Sequence, residues 1–475
     1  MASAKYGRTV RLVIDIGVFA FGSLLARLIQ FVMLPFYTTY LTTGEYGSAE
    51  LVFNFSQLMS PIATLSVASG VFRYAADNVD RRKLLSTGLF VALCGQVVII
   101  SGALLWNSFC PVQYVGFFCI LLLGEALKWM FGNVTRGFGS SKRFAMGGPV
   151  DVFTLSISNI ILIGFMKMGV TGYLLSLVIA NYTTSAYYFF ASRLYRYLHP
   201  RAIDKEMLRA LIVYSIPMMF NAVIWWFVNM SGRYIILFRG GEDLAGCFIA
   251  ASKLPAVISM AATIFQQAWQ FSTAKEVHSD TRDQFFSSVF RFFFYYVFSC
   301  ATIVVALCPF IADLMLKKEF RQIGFLLPIL FTSGLLYCFA CFFGTFYNAF
   351  KQNAMIMVST LVGAIVGVSL AYWFNIVWGP LGVAIGTMCG FILMVAVLVF
   401  DTQRRFVKLE YKVAPILLLI ALYSTQIIVQ TMGMGSISWL LCFSQLIVVF
   451  CAEYKAIISL PGKIKDRLAA RRRAG

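Results

Sequence analysis

The chain has few ionisable side chains. Of its 475 residues, 20 are Asp or Glu and 2 are His, and 12% carry a charge. Carboxylates and imidazoles are the usual general acids, general bases and metal ligands of enzymes. The polar links between apolar runs are also short, which leaves no room for an extramembrane catalytic domain. We therefore expect a protein that is not an enzyme and that needs no metal or other cofactor.

Apolar residues make up 60% of the chain, and its mean hydropathy is +0.80. Apolar runs near 20 residues recur from Leu12 to Ile457, and each is long enough to cross a hydrocarbon core of about 30 Å. Barrel strands alternate polar and apolar residues over about ten positions, whereas these runs are continuous. The sequence thus predicts an all-α membrane protein with about fourteen transmembrane helices. The predicted spans lie near residues 12–38, 48–72, 84–107, 111–132, 146–166, 170–192, 208–232, 243–271, 286–311, 322–349, 353–376, 379–400, 412–432 and 435–457.

The net charge of +19 comes from basic residues in the short loops, which is typical of residues that set membrane topology rather than of a nucleic-acid-binding surface. With the N-terminus inside, the predicted inner segments carry 31 Lys or Arg and the outer segments carry 6. This asymmetry is what the positive-inside rule requires, so both termini are predicted to be cytoplasmic and nucleic-acid binding is not expected. The basic residues assigned to the outer segments are Lys167, Arg233, Arg239, Lys317, Lys318 and Arg321.

A weak internal repeat relates the two halves of the chain. The stretch from Tyr37 to Glu45 is similar to the stretch from Tyr234 to Glu242, and each begins near the end of an odd-numbered span. Six spans per repeat is an even number, so the copies share one orientation and an axis along the membrane normal. We predict a six-helix lobe at 1–200, a second at 201–410, and two further helices with a basic tail at 411–475.

Polar side chains occur inside four predicted spans at helical spacing, so each set shares one face. Two of the sets contain a cation, Arg27 and Lys253, and a charge at the bilayer centre is costly enough to mark a functional site. We expect the sets to face a wet cavity between the lobes, where two cations would attract an anion. Alternatively, Arg27 pairs with an acid such as Glu50 and only braces the bundle. The sets are Ser23, Arg27 and Gln30; Glu50, Asn54 and Gln57; Asn221, Trp225 and Asn229; and, in the eighth span, Thr263, Gln267 and Gln270 on one side, preceded by Lys253 beside Pro255.

Three further acids lie in or near the spans. Glu125 precedes Lys128 by three positions in the fourth span, a spacing typical of a local ion pair. The second interpretation of Glu125 is a proton relay. Asp15 and Asp151 lie near span ends, where capping or snorkelling explains them. Closely packed helices are predicted where Gly363 and Gly367 precede a second small-residue series at Gly382–Gly390.

A group of motifs lies near the beginning of the first lobe: Arg27, Leu34–Leu41, Gly44–Gly47, Pro61 and Gly70–Tyr74. These residues resemble the start of Wzx-type polysaccharide flippases of the multidrug/oligosaccharidyl-lipid/polysaccharide exporter superfamily. The second copy, with Gly241-Glu242 and Lys253-Leu254-Pro255, is similar to the second lobe of that family. The span count and the two-lobe plan extend the resemblance over the whole chain.

The resemblance implies a flippase that moves an undecaprenyl-pyrophosphate-linked oligosaccharide from the inner to the outer leaflet by alternating access, driven by an ion gradient. Related lipid II flippases have arginines in the first and eighth spans; Arg27 matches the first, and Lys253 stands in the eighth. Their last two helices hold the lipid tail, which assigns 412–432 and 435–457 to that role. The resemblance further implies a location in the bacterial plasma membrane. It implies membrane lipids and polysaccharide polymerase machinery as partners, and we expect a monomer.

These inferences combine into one hypothesis. The pyrophosphate lies between Arg27 and Lys253, and the sugars lie against the polar side chains of the cavity, namely Asn54, Gln57, Asn221, Gln267 and the ring of Trp225. The first rival is a multidrug or cation antiporter of the same superfamily, which usually has twelve spans and buried acids. The second is a membrane-embedded glycosyltransferase, polymerase or ligase, for which the short loops lack a catalytic constellation.

Overall fold

The structure is a computed structural model that describes residues 28–75, 79–260, 262, 265–266, 269, 273, 282–350, 354–410 and 413–452. Within these residues every regular element is a helix. The α-helices are α1 at 28–40, α2 Thr43–Ala63, α3 Val67–Tyr74, α4 Arg81–Phe109, α5 Val115–Gly137, α6 Ser141–Asn159, α7 Gly169–Ala191, α8 Lys205–Lys253, α9 Arg282–Ala306, α10 Cys308–Met315, α11 Leu327–Ala349, α12 Ala354–Trp378, α13 Pro380–Arg405, α14 Val413–Thr431 and α15 Gly435–Ala452.

The described helices agree with the predicted spans. Ten of them are long and apolar enough to cross a membrane, or eleven when the bent pair α2 and α3 counts as one span. One of the ten, Lys205–Met260, contains the seventh predicted span and the beginning of the eighth. Helix α7 corresponds to the sixth span, although its Asn, Thr and Tyr side chains lower its hydropathy. Each of the fourteen predicted spans thus overlaps a described helix, although residues 12–27 of the first span and most of 261–271 in the eighth lie outside the described residues.

One predicted span is broken rather than straight, and the seventh and eighth spans are joined at a break within α8. Helices α2 and α3 meet at an angle of 55°, because Pro61 lacks an N–H and the chain turns through left-handed conformations at Leu65 and Ser66. In α8 the break is at Gly241, with φ 75° and ψ −177°, a region that only glycine adopts readily. We call residues 205–240 the first arm of α8 and residues 242–253 its second arm.

A capping box begins α2 and fixes the turn that precedes it. The Thr42 Oγ1 accepts a hydrogen bond from the Glu45 N–H at 3.2 Å, and Glu45 Oε2 accepts one from the Thr42 N–H at 2.9 Å. This reciprocal pair satisfies two backbone donors that a helix start leaves open. The Gly44-Glu45 turn of the opening motif therefore has a structural role in placing α2.

Two glycines bring α2 against the second arm of α8. A Cβ built on Gly47 would lie 2.3 Å from the Glu242 carbonyl oxygen, and one on Gly246 would lie 2.0 Å from the Thr43 carbonyl oxygen. Beside them Thr43 Oγ1 donates to Asp243 Oδ1 at 2.6 Å. These contacts join the predicted lobes at the end of the bundle that the charge pattern places outside.

The predicted small-residue packing of α12 against α13 is confirmed. A Cβ on Gly386 would lie 2.2 Å from the Ala371 backbone nitrogen, and one on Gly390 would lie 2.6 Å from the Gly363 carbonyl oxygen. Backbones this close leave no space for larger side chains, which is how small residues stabilise helix pairs in lipid.

Aromatic side chains fill the interior between α9 and α11. The rings of Phe293 and Phe342 stack with centroids 4.6 Å apart, and Trp269 stacks on Phe342 at 4.9 Å. Helix α14 joins α9 through a polar contact instead: Thr302 Oγ1 donates to the fully buried Gln426 at 2.7 Å. The two C-terminal helices are therefore attached to the bundle rather than separate from it.

Candidate functional site

A cavity of about 440 Å³ lies where α1, α2, α5, α6 and α7 face α8. Its walls bring together residues from both predicted lobes, and they are unusually polar for the interior of an apolar bundle. We call it the central cavity. Its charged lining residues, among those described, are Glu50, Lys128, Asp151, Arg233 and Lys253.

One carboxylate organises the wall between the predicted lobes. Glu50 on α2 is 1% exposed, forms an ion pair with the Lys253 ammonium on α8, and accepts a hydrogen bond from the Tyr173 hydroxyl on α7. The ammonium also lies 5.2 Å from the ring centroid of Tyr46, a cation–π distance. A buried charge is tolerated when it is paired and hydrogen-bonded, so the Glu50 carboxylate fixes Lys253 at the cavity wall.

Arg233 is the second cation of this wall. Its Nη1 donates to Asn54 Oδ1 at 3.0 Å, while its buried Nε has no hydrogen-bond partner. The neighbouring Trp226 donates to the Asn54 carbonyl oxygen at 2.8 Å, and Tyr234 donates to that of Leu51 at 3.0 Å. Three consecutive contacts thus hold the first arm of α8 along α2 and aim the guanidinium at the cavity.

The opposite wall holds a second ion pair. Lys128 Nζ lies 3.2 Å from each Asp151 oxygen, and Thr184 Oγ1 donates to Asp151 Oδ1 at 3.1 Å. Glu125 instead accepts a hydrogen bond from Ser56 Oγ at 3.2 Å. The interpretation of Glu125 and Lys128 as a local pair is therefore wrong, because Lys128 reaches across to α6, and Asp151 is a cavity residue rather than a cap.

Only part of the predicted site lies together. Lys253, Asn54 and Gln57 line the central cavity, whereas Arg27 and Gln267 lie outside the described residues. Lys253 pairs with Glu50, the acid that the alternative interpretation assigned to Arg27.

Asn221 and Trp225 do not line the central cavity. The ring of Trp225 packs edge-on against Tyr337 on α11, with centroids 6.3 Å apart. The cavity instead receives Met230 and Arg233 from this arm. Adjacent helix positions differ by about 100° around the axis, so the side chains that meet α2 and the cavity lie on a stripe beside the one predicted.

Two site residues were missed by the sequence analysis. Arg233 was assigned to an outer loop because it follows the predicted end of the seventh span, but the first arm of α8 continues past it. One feature of the sequence could have indicated that Arg233 lies within the helix bundle: it directly precedes Tyr234, the first residue of the repeated motif. Tyr173 is an ordinary aromatic residue in an apolar run, and nothing in its spacing marks it as a partner of Glu50.

The comparisons with known proteins rest on structure, since no family model and no curated protein matches the sequence. The lipid II flippase MurJ in an inward closed conformation superposes with a TM-score of 0.68 at 13% identity, covering 92% of this chain and 99% of that one. An inward-facing multidrug resistance MATE family transporter of the MOP superfamily gives 0.62 at 16% identity, covering 80% and 98%.

A third structure is a MOP superfamily transporter from Pyrococcus furiosus that is described as having a binding pocket of reverse polarity. It gives a TM-score of 0.54 at 16% identity and covers 82% of this chain and 95% of that one. Identities this low establish the architecture alone. This chain is therefore a multi-pass helical membrane protein with the fold of the MATE transporters and of the flippase MurJ.

Proposed function

We propose that this protein is a flippase for oligosaccharides linked to a polyprenyl pyrophosphate, moving them from the inner to the outer leaflet by alternating access. The observation that carries the proposal is the presence of two cations, the buried Arg233 and the half-buried Lys253, on one wall of a cavity inside the bundle. An anionic head group is the ligand that such a wall favours.

The charge balance of the described cavity residues supports an anion. Lys128 and Asp151 neutralise each other, and Glu50 neutralises Lys253. The contact of Arg233 with Asn54 is with a neutral amide, so one positive charge remains. A guanidinium presents a planar set of donors that matches phosphate oxygens, and an ammonium adds a point charge.

A pyrophosphate would displace Glu50 from Lys253 and bind between the two cations. Arg27 remains a predicted third contact. The amides of Asn54 and Gln57 face the same space, where sugar hydroxyls would bind, while the lipid chain stays in the bilayer. Rocking of one lobe against the other would then expose the head group to the other side.

The cellular setting follows from this activity and from the charge pattern. We place the protein in the bacterial plasma membrane as a monomer with both termini in the cytoplasm. It would serve polysaccharide biosynthesis, receive its substrate from glycosyltransferases and deliver it to polymerase machinery. The two C-terminal helices would contact the polyprenyl chain.

The direct test is translocation of fluorescent undecaprenyl-pyrophosphate oligosaccharide in proteoliposomes. Arg233→Gln and Lys253→Gln keep hydrogen-bonding capacity but remove charge, and each should lower the rate by at least about tenfold, equivalent to about 1.4 kcal/mol. Arg239→Gln, an exposed cation on the same arm, is the matched control and should transport normally. Thermal unfolding should show all three folded; wild-type rates in both cavity variants would contradict the proposal.

A cation antiporter is the second candidate, because the central cavity also has two carboxylates and Glu125 is buried beside it. Ethidium transport in the same proteoliposomes separates the candidates. The flippase predicts no ethidium flux above that of empty vesicles. Ethidium flux driven by an ion gradient, without movement of the lipid-linked oligosaccharide, would establish the antiporter instead.

A further inference from the structure

A second cavity of about 190 Å³ lies between α8, α11 and α13. We call it the side cavity. Arg233, Ser252 and Ala256 belong to its lining and to that of the central cavity, so the two cavities adjoin across these residues. No role has been given above to its own polar residues, Asn229, Ser333 and Thr387.

Three hydroxyl groups of the side cavity have already used their protons. Ser333 Oγ donates to the Ile329 carbonyl oxygen at 3.2 Å, and Thr387 Oγ1 donates to that of Val383 at 2.9 Å. Ser252 Oγ does the same with Phe248 at 2.6 Å. A serine or threonine hydroxyl has one proton and two lone pairs, so what these residues offer a ligand is acceptor oxygens.

Asn229 adds an acceptor of the same kind. Its Nδ2 donates to the Trp225 carbonyl oxygen at 2.7 Å, which leaves the amide oxygen for a ligand. The side cavity thus presents several acceptors on its walls and a single cationic donor group at its junction with the central cavity. That donor group is Arg233, which is 8% exposed and has an unpartnered Nε.

This distribution of donors and acceptors selects the ligand. A free phosphate has acceptors only, and apart from the second Nδ2 proton of Asn229 the four side chains just described offer it no donor. A metal cation could be coordinated by these oxygens and an ammonium could donate to them, but the Arg233 charge repels both. A sugar ring carries several O–H donors and no charge, and an attached phosphate would reach Arg233 at the junction.

We propose that the side cavity binds the first sugar of the lipid-linked oligosaccharide, the one bonded to the pyrophosphate. The inference rests on the proposed flippase function and gives the central cavity the pyrophosphate and the side cavity the adjoining ring. The ring hydroxyls donate to Ser333, Thr387 and Asn229, and the phosphate accepts from Arg233. The sugar therefore lies on the α11 and α13 side of the first arm of α8.

The test compares the affinity of the purified protein, in nanodiscs, for two kinds of lipid. One is undecaprenyl pyrophosphate, and the other is the same lipid carrying a single glucose, galactose or N-acetylglucosamine. The double variant Ser333→Ala/Thr387→Val removes two acceptor oxygens with little change of shape. It should weaken binding of the best glycosylated lipid by about tenfold and leave the sugar-free lipid unchanged.

The chain offers a matched control. Ser359 and Thr360 on α12 are fully buried and donate to the Ile356 carbonyl oxygen, at 2.9 and 2.7 Å, but they line neither cavity. Ser359→Ala/Thr360→Val should bind both kinds of lipid as the wild type does. Any effect of losing two intrahelical hydrogen bonds would be visible in this control.

The outcomes distinguish the inference from the function beneath it. If the wild type binds sugar-free lipid but gains nothing from any of the three sugars, the side cavity is not a sugar site. The same holds if the double variant weakens both kinds of lipid equally. If the wild type binds neither kind of lipid, the proposed flippase function itself is contradicted.

Discussion

At the scale of single residues, Glu50 is the side chain that sets how much positive charge the central cavity presents. It is the acidic partner of Lys253 and accepts from Tyr173, so an incoming pyrophosphate has to compete with it. Replacing Glu50 with Gln keeps an acceptor for Tyr173 and removes the competing charge. We expect Glu50→Gln to bind undecaprenyl pyrophosphate about tenfold more tightly, a gain of about 1.4 kcal/mol, when affinities are measured in nanodiscs.

The control for this variant is Glu319→Gln, which removes an equal charge from an exposed position outside the cavity. Unchanged affinity is expected there. Equal or weaker binding by a folded Glu50→Gln protein would show that the Glu50 carboxylate does not compete with the ligand, and the proposed exchange of partners at Lys253 would be wrong.

At this scale the sequence predicted residue types better than partners. The spacing of Glu50, Asn54 and Gln57 placed them on one face of a helix, and the structure puts them on the cavity wall. Spacing does not give the rotation of one helix against another. The seventh span therefore contributes Arg233 instead of the expected Trp225, and Lys128 contacts Asp151 on a different helix.

Close backbone packing is the main feature at the scale of elements. Because α12 and α13 meet through glycines, a larger side chain there forces the helices apart. We expect Gly386→Leu to destabilise the protein by about 1–3 kcal/mol, seen as a lower midpoint in thermal unfolding in detergent. Gly102→Leu on α4 is the control, since nothing lies within 4 Å of a Cβ built there.

An unchanged midpoint for Gly386→Leu, with Gly102→Leu also unchanged, would mean that the α12–α13 contact does not limit stability.

The small-residue spacing was readable from the sequence because it repeats every four positions, which is one face of a helix. The break at Gly241 lies in the connection predicted between the seventh and eighth spans. The break at Ser66 was not predicted, since the nearby Pro61 permits a bend without fixing its angle.

The contact between the predicted lobes matters at the scale of the whole molecule. Alternating access requires the lobes to separate where α2 packs on the second arm of α8. We expect a short bifunctional thiol cross-linker between Thr43→Cys and Asp243→Cys, in a background without the 11 native cysteines, to reduce translocation to the level of empty liposomes. A disulfide-containing linker should allow recovery after reduction.

The control pair is Thr135→Cys and Ser192→Cys, whose native hydroxyls lie 3.0 Å apart within the predicted first lobe. Cross-linking there should leave translocation intact. Full transport with the Thr43–Asp243 pair linked would show that this end of the bundle stays closed through the cycle, and a different route for the head group would be required.

The sequence by itself determined that this chain is a bundle of membrane helices with buried polar faces, because a bilayer requires long apolar runs whose backbone hydrogen bonds are internal. It also gave the positions at which charge interrupts those runs. Only the tertiary structure decided which charges meet, since Glu50, Arg233 and Lys253 are brought together by the rotation and crossing of α2 and α8. Those depend on contacts between residues about 200 positions apart, which local periodicity does not record.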